Sequence, residues 1–370
     1  MAGGIAEHTH QLARHLDRDN DVVVLATGMD GDSQFDEAQP FPIYRASSVP
    51  VLQTIILCLY FLWIVYKHKI DEVYCPMWYP TGVIAILCSW ITSVDTAIGV
   101  HAHEVVYSEE NLTKRFAARL KQVQAWILKQ ATVVIAVSEY TKNRIAEIGI
   151  PESKIEIVNN GVVPGQFKTD DIHKIREKNQ ADYIILTVAR LEPRKGQDMV
   201  IRALPKIQEQ IPNVTYLIAG KGGYENHLRQ LTDEVAVNDS VEFLGYVPDD
   251  ELPSLYNSAD VFVMPNRREG TSVEGFGIVF LEANAAGVPV VGGDHGGVTD
   301  AIINGKTGHL VDPQDTDAIA SAVIGLLTNN AKREKMGEEG QKRAIQEFNW
   351  EQVTDQFSEV LRKHSAKTYE

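Results

Sequence analysis

Apolar residues along this chain recur in two rhythms. Short apolar runs bounded by turn formers stand at residues 21–27 (DVVVLAT), 70–74, 96–100, 132–137 and 154–158, and each predicts a strand buried on both faces. Between them lie helical patterns. Residues 5–16 predict one helix, Pro80 and Gly82 open another that runs to Trp90, and Leu112, Phe116, Leu120, Val123 and Ile127 repeat at helical spacing. Ser138 is placed to cap the helix that follows the fourth run, and the fifth run ends in the turn-forming Asn159, Asn160 and Gly161. This alternation is that of a βα domain.

Residues 162–182 contain Pro164, Gly165 and a charged run with weak apolar periodicity, which predicts a linker and a domain boundary near residue 165. A second βα series then begins. Its strands are predicted at 183–189, 214–219, 241–244, 260–264 and 288–292, each followed by a helix. At the end of the chain Val353, Phe357, Val360 and Leu361 recur at helical spacing over 350–363. The fold class is therefore α/β, two Rossmann-like doubly wound domains facing each other, with the strand-end loops of both lining a cleft.

The bulk properties narrow the function. At 370 residues, with 44% apolar and 23% charged residues, the chain suits two globular cores and excludes disorder as the main state. Its net charge of −15 repels nucleic acid, so any anionic ligand must be held by a few placed cations. Cys58, Cys75 and Cys88 show neither metal nor disulfide spacing, which fits a reducing, cytoplasmic setting. No basic and then apolar leader opens the chain, so secretion is not expected. Residues 51–66 (VLQTIILCLYFLWIVY) fall short of the roughly 20 residues of a membrane span and predict a buried helix. The alternative is interfacial, with Trp63 and Tyr66 followed by Lys67, His68 and Lys69 resting on the inner face of a membrane.

Candidate chemistry clusters at predicted strand ends. Gly3 and Gly4 precede a helix whose amides can face an anion, although a plain turn explains two glycines as well. Arg190 follows the strand YIILTVA, and Lys195 stands just before a helix, so one loop carries a fork donor and a point cation. Gly220, Lys221, Gly222 and Gly223 form a glycine-rich turn after the next strand. The densest group runs from Arg268 to Ala283: Gly275, Phe276 and Gly277 end a loop, Ile278 begins an apolar helix, Glu282 lies a turn inside, and Glu274 stands ahead. Carboxylates beside an anion site make sense when the ligand also presents hydroxyls, and a nucleotide sugar does. His101 and His103 flank Ala102 after a strand, a spacing that also suits a metal pair, but no third ligand is suggested nearby, so no metal is expected. Asp30 and Asp32 sit in a polar loop and are read as solvated charge.

With these motifs in view, the chain resembles the retaining glycosyltransferases of family four, which have the GT-B fold. The family's two glutamates appear as Glu274 and Glu282 in EGFGIVFLE, its Arg and Lys pair as Arg190 and Lys195 in ARLEPRKG, and its closing loop as GGVTDAIINGKTGHLV. In the first half GGIAEHTHQLARHL resembles the opening glycine loop and helix, and HAHE the histidine loop. HAHEV and EGFGIVFLEA look most like the phosphatidylinositol mannosyltransferase-like members.

The resemblance implies a retaining transfer of a hexose, of mannose or glucose type, from a GDP- or UDP-linked donor, without metal or other cofactor. Arg190 and Lys195 would neutralise the diphosphate; Gly3, Gly4, Gly220, Phe276, Gly277 and Ile278 would line the donor site; Glu282 would hold the ribose. Glu274 would contact donor-sugar hydroxyls, and His101, with His103 and Glu104 beside it, would face that sugar from the other domain. The acceptor would be a glycan, lipid or small molecule, with peripheral membrane contact through the first domain. The resemblance also divides the chain into an acceptor-side domain at 1–165, a donor-binding domain at 166–346, and a segment at 347–370 whose helix returns to the first domain. The family's glycine loop follows a strand, whereas only Met1 and Ala2 precede Gly3, so a first strand is expected to be missing and the natural product to begin about 15 to 25 residues upstream, the length of one strand with its leading residues and loop. An epimerase or phosphorylase on the same architecture, or a non-catalytic nucleotide-binding protein, remains the competing reading. A dehydrogenase is disfavoured because no GxGxxG follows a strand.

Overall fold

The computed structural model describes residues 4–28, 32–46, 53–101, 114–167, 175–176 and 181–365. The chain forms two compact units, one of residues 1–160 with 350–370 and the other of residues 161–349.

The first unit begins with α1 (Gly4–Leu16), β1 (Val24–Thr27), α2 (Asp32–Glu37), β2 (Ile43–Ala46), α3 (Gln53–His68), β3 (Glu72–Cys75) and α4 (Val83–Thr92). It continues with β4 (Asp95–Val100), α5 (Lys114–Gln130), β5 (Val133–Ala136), α6 (Glu139–Glu147) and β6 (Ile155–Ile157). All strand pairs are parallel, but they form two sheets: β1 pairs with β2, and the other four run in the order β3-β4-β5-β6. Each of β1, β3, β4, β5 and β6 falls on a predicted apolar run, with ends that differ by one to three residues. β2 was not predicted, and Asp32, read as part of a loop, instead starts α2. Ser138 caps α6 by accepting the Thr141 amide at 3.2 Å.

α3 differs from the expected buried helix. Leu57, Phe61, Ile64 and Val65 face the core, whereas Ile55, Leu59, Trp63 and Tyr66 are exposed. No helix among the described residues is long and apolar enough to cross a membrane.

In the second unit β7 (Tyr183–Val188), α7 (Gln197–Gln210), β8 (Val214–Ala219), α8 (Glu225–Glu234) and β9 (Val241–Gly245) alternate. There follow α9 (Leu252–Ser258), β10 (Val261–Met264), α10 (Ile278–Ala285), β11 (Val290–Gly293), α11 (Val298–Ala301), β12 (Gly308–Val311), α12 (Thr316–Leu327) and α13 (Asn330–Glu347). The six strands make one parallel sheet in the order β12-β11-β10-β7-β8-β9. The central strands β7, β8, β10 and β11 are buried almost throughout, which is why they read as continuous apolar runs, and α7 and α12 pack together over the sheet. Chain order runs outward in one direction from β7 and in the other from β10, so the switch point lies between these two neighbours. Ligands of open α/β sheets bind at the carboxyl ends of the strands there.

The last helix, α14 (Trp350–His364), belongs to the first unit and packs on α1. Its Phe357 ring meets Tyr74 edge-on at 5.0 Å, and Lys363 and His364 both reach Glu156.

Candidate donor site

Four loops leave the carboxyl ends of β7, β8, β10 and β11, and hydrogen bonds tie them to one another. The Leu191 amide donates to the Lys221 carbonyl at 3.1 Å, joining the first two. The Arg267 amide donates to the Arg194 carbonyl at 2.9 Å, and its guanidinium forks onto Asp198 of α7 at 2.9 and 3.1 Å. Buried Asn266 holds the β11 loop by accepting the Gly293 amide and donating to the His295 carbonyl. Two glycines are sterically required. Gly220 has φ +137°, and a Cβ there would lie 1.9 Å from the Ala189 carbonyl oxygen; Gly277 has φ +89°, and a Cβ would meet the Phe280 ring at 2.7 Å.

Within this frame the charged residues form a ladder of alternating sign. Arg190 approaches Glu192 at 3.3 Å, Glu192 accepts from Arg194 Nε at 2.9 Å, and Arg194 Nη1 donates to Glu274 Oε2 at 2.8 Å. Lys195 Nζ donates to the same Glu274 oxygen at 2.5 Å. Arg190, at one end, is 72% exposed, while Lys195 is buried at the other and the Glu274 side chain is only 15% exposed. Burial works against both charges of this pair. For Glu274 it would push the carboxyl up, but Lys195 and then Arg194 outweigh it and hold the group at about 2. For Lys195 burial prevails over the pull of Glu274, and the ammonium sits below its ordinary value.

Gly277 precedes α10 with no side-chain cap, so the helix's first amides face the β10 loop end without an internal partner from a capping residue. Phe276 is only 2% exposed and packs on Phe348, so any ligand contact from this position comes from its backbone. Glu282 accepts the hydroxyl of buried Tyr256 at 2.6 Å, and burial and then this carboxylate push the Tyr256 phenol well up. Lys195 and Glu274 are thus in contact, Arg190 joins them through Glu192 and Arg194, and Glu282 lies one turn inside the adjoining helix.

The first unit holds the other named residues. Gly4 opens α1 and His101 directly follows β4; Gly3, His103 and Glu104 lie outside the described residues. His8 of α1, not singled out from sequence, lies between rings: Trp350 at 5.3 Å and, edge-on, His101 at 6.3 Å. Burial drives its imidazole down to about 4, against a weaker opposing pull from Asn160, so it is neutral at physiological pH. Arg194, Glu192 and Tyr256 were also missed. Of these, the Arg-x-Glu-x-Arg alternation was visible in the sequence.

An open parallel sheet of this order, with glycine-shaped loops and placed cations at its switch point, defines a nucleotide-binding α/β protein. Comparison with known proteins makes this specific. Residues 2–166 match the family Glycosyltransferase Family 4, and residues 168–343 match Glycosyl transferases group 1. A GDP-mannose-dependent alpha-(1-6)-phosphatidylinositol monomannoside mannosyltransferase of Mycolicibacterium smegmatis is 31% identical, over 97% of this chain and 94% of its own. A GDP-mannose-dependent monoacylated alpha-(1-6)-phosphatidylinositol monomannoside mannosyltransferase of Corynebacterium glutamicum is 28% identical over 97% of this chain and 94% of its own. Among solved structures, Anabaena HepE in complex with UDP matches with a TM-score of 0.83 at 22% identity, over 98% of this chain and 97% of the other. The chain belongs to glycosyltransferase family 4. It has the GT-B fold and is a retaining glycosyltransferase that draws on a nucleotide-sugar donor.

Proposed function

We propose that the enzyme transfers a mannosyl group from GDP-mannose to a hydroxyl of a lipid acceptor, working at the cytoplasmic face of a membrane. The observation that carries the site is the Lys195–Glu274–Arg194 contact at the sheet's switch point, a concentration of cations in a chain of net charge −15. Arg190 and Lys195 receive the diphosphate, and the amides of Gly277 and Ile278 complete its cradle. As the glycosidic bond breaks, negative charge grows on the leaving diphosphate, and fixed cations and amides stabilise it without a metal ion. Gly220 brings backbone close to the nucleotide, Glu282 accepts ribose hydroxyls, and Glu274, kept ionised, accepts hydroxyls of the donor sugar. The choice of GDP and mannose is supported by the GDP-mannose dependence of the Mycolicibacterium and Corynebacterium relatives.

Membrane contact is supported by side chains on three helices of the first unit. Trp63 and Tyr66 of α3, Trp90 and Ile91 of α4, and Trp126 of α5 are all exposed, and Trp90 and Trp126 meet edge-on at 5.8 Å. Lys67 lies over the Trp63 ring at 4.2 Å, and Arg119, Lys121 and Lys129 are exposed on α5. Aromatic rings with cations beside them suit the head-group layer of an anionic bilayer.

Thermal shifts with GDP, UDP, ADP and their sugars test the donor, since a ligand at 100 times its Kd stabilises by about 2.7 kcal/mol. GDP and GDP-mannose should raise Tm; a shift with UDP-glucose and none with GDP-mannose would overturn the donor assignment. Co-sedimentation with anionic phospholipid vesicles tests the surface, and equal binding by wild type and Trp90→Ala/Trp126→Ala would refute it.

A further inference from the structure

Lys195 serves two anions in the function proposed above, the Glu274 carboxylate and the incoming diphosphate. It brings one positive charge to both. The Glu274 side chain is only 15% exposed, and a carboxylate so shielded from water and left without a cation is strongly unfavourable. A diphosphate that drew Lys195 toward itself would therefore strand Glu274 unless another cation stayed behind.

Arg194 is built to stay. Its Nε is held by Glu192 Oε2 at 2.9 Å and its Nη1 by Glu274 Oε2 at 2.8 Å, so the guanidinium plane is fixed at two points. Its backbone carbonyl accepts the Arg267 amide, and Arg267 is itself locked on Asp198. The side chain is 13% exposed. Glu192 offers separate oxygens to the two arginines, Oε1 to Arg190 and Oε2 to Arg194. Lys195, by contrast, has a flexible stem, and Glu274 is its one carboxylate within ion-pair distance among the described residues.

We propose that Arg194 is a positioning residue for donor binding: it keeps Glu274 charge-compensated so that Lys195 can turn to the diphosphate. The proposal rests on the assignment of Lys195 to that diphosphate. Without Arg194, Lys195 becomes the only cation paired with Glu274 among the described residues, and the phosphate must compete with that carboxylate for it. A purely structural ion pair would act otherwise. Its loss would lower stability and leave the affinity for a nucleoside diphosphate unchanged.

The experiment is calorimetric titration with GDP, or with UDP if that is the diphosphate wild type binds, using wild type, Arg194→Ala, Arg194→Lys, Glu274→Gln and Arg194→Ala/Glu274→Gln. These probes carry no sugar, so contacts of Glu274 with sugar hydroxyls do not enter. Arg194→Ala should bind about tenfold more weakly, the scale of one charge-assisted contact, and Arg194→Lys should recover most of the loss. The double variant should bind at least as tightly as wild type, because the competing carboxylate is gone. Equal affinity of Arg194→Ala and wild type, or a double variant as weak as Arg194→Ala, would overturn the proposal. If Arg194→Ala does not fold, Arg194→Gln, which keeps the length of the side chain without its charge, takes its place: weaker binding than wild type supports the proposal, and equal affinity overturns it. Wild type that binds neither GDP nor UDP would instead sink the donor assignment itself.

Discussion

Acid should weaken the second unit through Glu274, and Glu274→Gln should remove that part of the response. The carboxyl is held at about 2 in the folded chain, against an ordinary value of 4.5. A depressed carboxyl contributes stability above its unfolded value and loses it as pH falls through the folded one. The difference of about 2.5 units, at 1.36 kcal/mol per unit, is worth roughly 3 kcal/mol at neutral pH. Between pH 7 and pH 3 somewhat more than half of it, about 2 kcal/mol, should disappear, and most of the remainder by pH 1. The Gln variant is less stable at pH 7, because Lys195 is left buried without a carboxylate. Its curve should nevertheless be flatter between pH 5 and pH 3. Urea unfolding of the full chain at pH 7, 5, 4 and 3, followed by tryptophan fluorescence and circular dichroism, gives both curves. If wild type and variant lose stability in parallel over this range, Glu274 is not held ionised by its two cations, and the electrostatic account of the site fails.

Lys195→Ala and Arg190→Ala should each lower kcat/KM between about tenfold and somewhat over a hundredfold while Tm stays high enough for assay, the value of one charge-assisted contact in the transition state; near-normal rates in both would remove this loop from the diphosphate site. Transfer should survive EDTA, because side chains and helix amides meet the leaving charge, and loss of activity restored by magnesium or manganese would contradict that. Phe357→Ala, at a site 1% exposed against Tyr74, should destabilise the first unit by about 3 to 5 kcal/mol. A cost below about 1 kcal/mol in urea unfolding would show that α14 is not an integral part of that core.

The parts of the fold that were legible are those whose environment is uniform. β8 is buried by helices on both faces, so VTYLIA is a continuous apolar run with unambiguous ends. β2, IYRA, pairs with β1 alone and points Arg45 at Asp36, so its sequence carries a charge where a central strand would carry an aliphatic residue. β12 was quoted within the closing loop but not read as a strand: it is an edge strand opened by Gly308. α3 misled in the opposite sense, because its outward face is as apolar as its inward one and composition alone cannot assign sides. For the donor site, residue types at strand ends were enough to single out Arg190, Lys195 and Glu274. Their contact was not legible, since Lys195 and Glu274 lie 79 residues apart and meet only through the β7–β10 neighbourhood. His8 was hidden for the same reason, because the ring that buries it belongs to Trp350 at the far end of the chain.

The ladder also answers a difficulty that the sequence raised, namely why carboxylates should crowd the site proposed for a diphosphate. Three cations and two carboxylates alternate from Arg190 to Lys195, so the group as a whole carries one positive charge, and each buried member has a partner of opposite sign. A buried cluster of bare cations would bind phosphate more strongly once formed, but each would pay desolvation and mutual repulsion in every molecule without donor. Alternation removes that cost and leaves the cations held at defined places. It also divides them by environment. Arg190, exposed to solvent, is reached by counterions, whereas Lys195 and Arg194 are shielded from them. The exposed end is thus suited to a first, salt-sensitive encounter with the anionic donor, and the buried end to fixed contacts whose strength changes little with ionic strength.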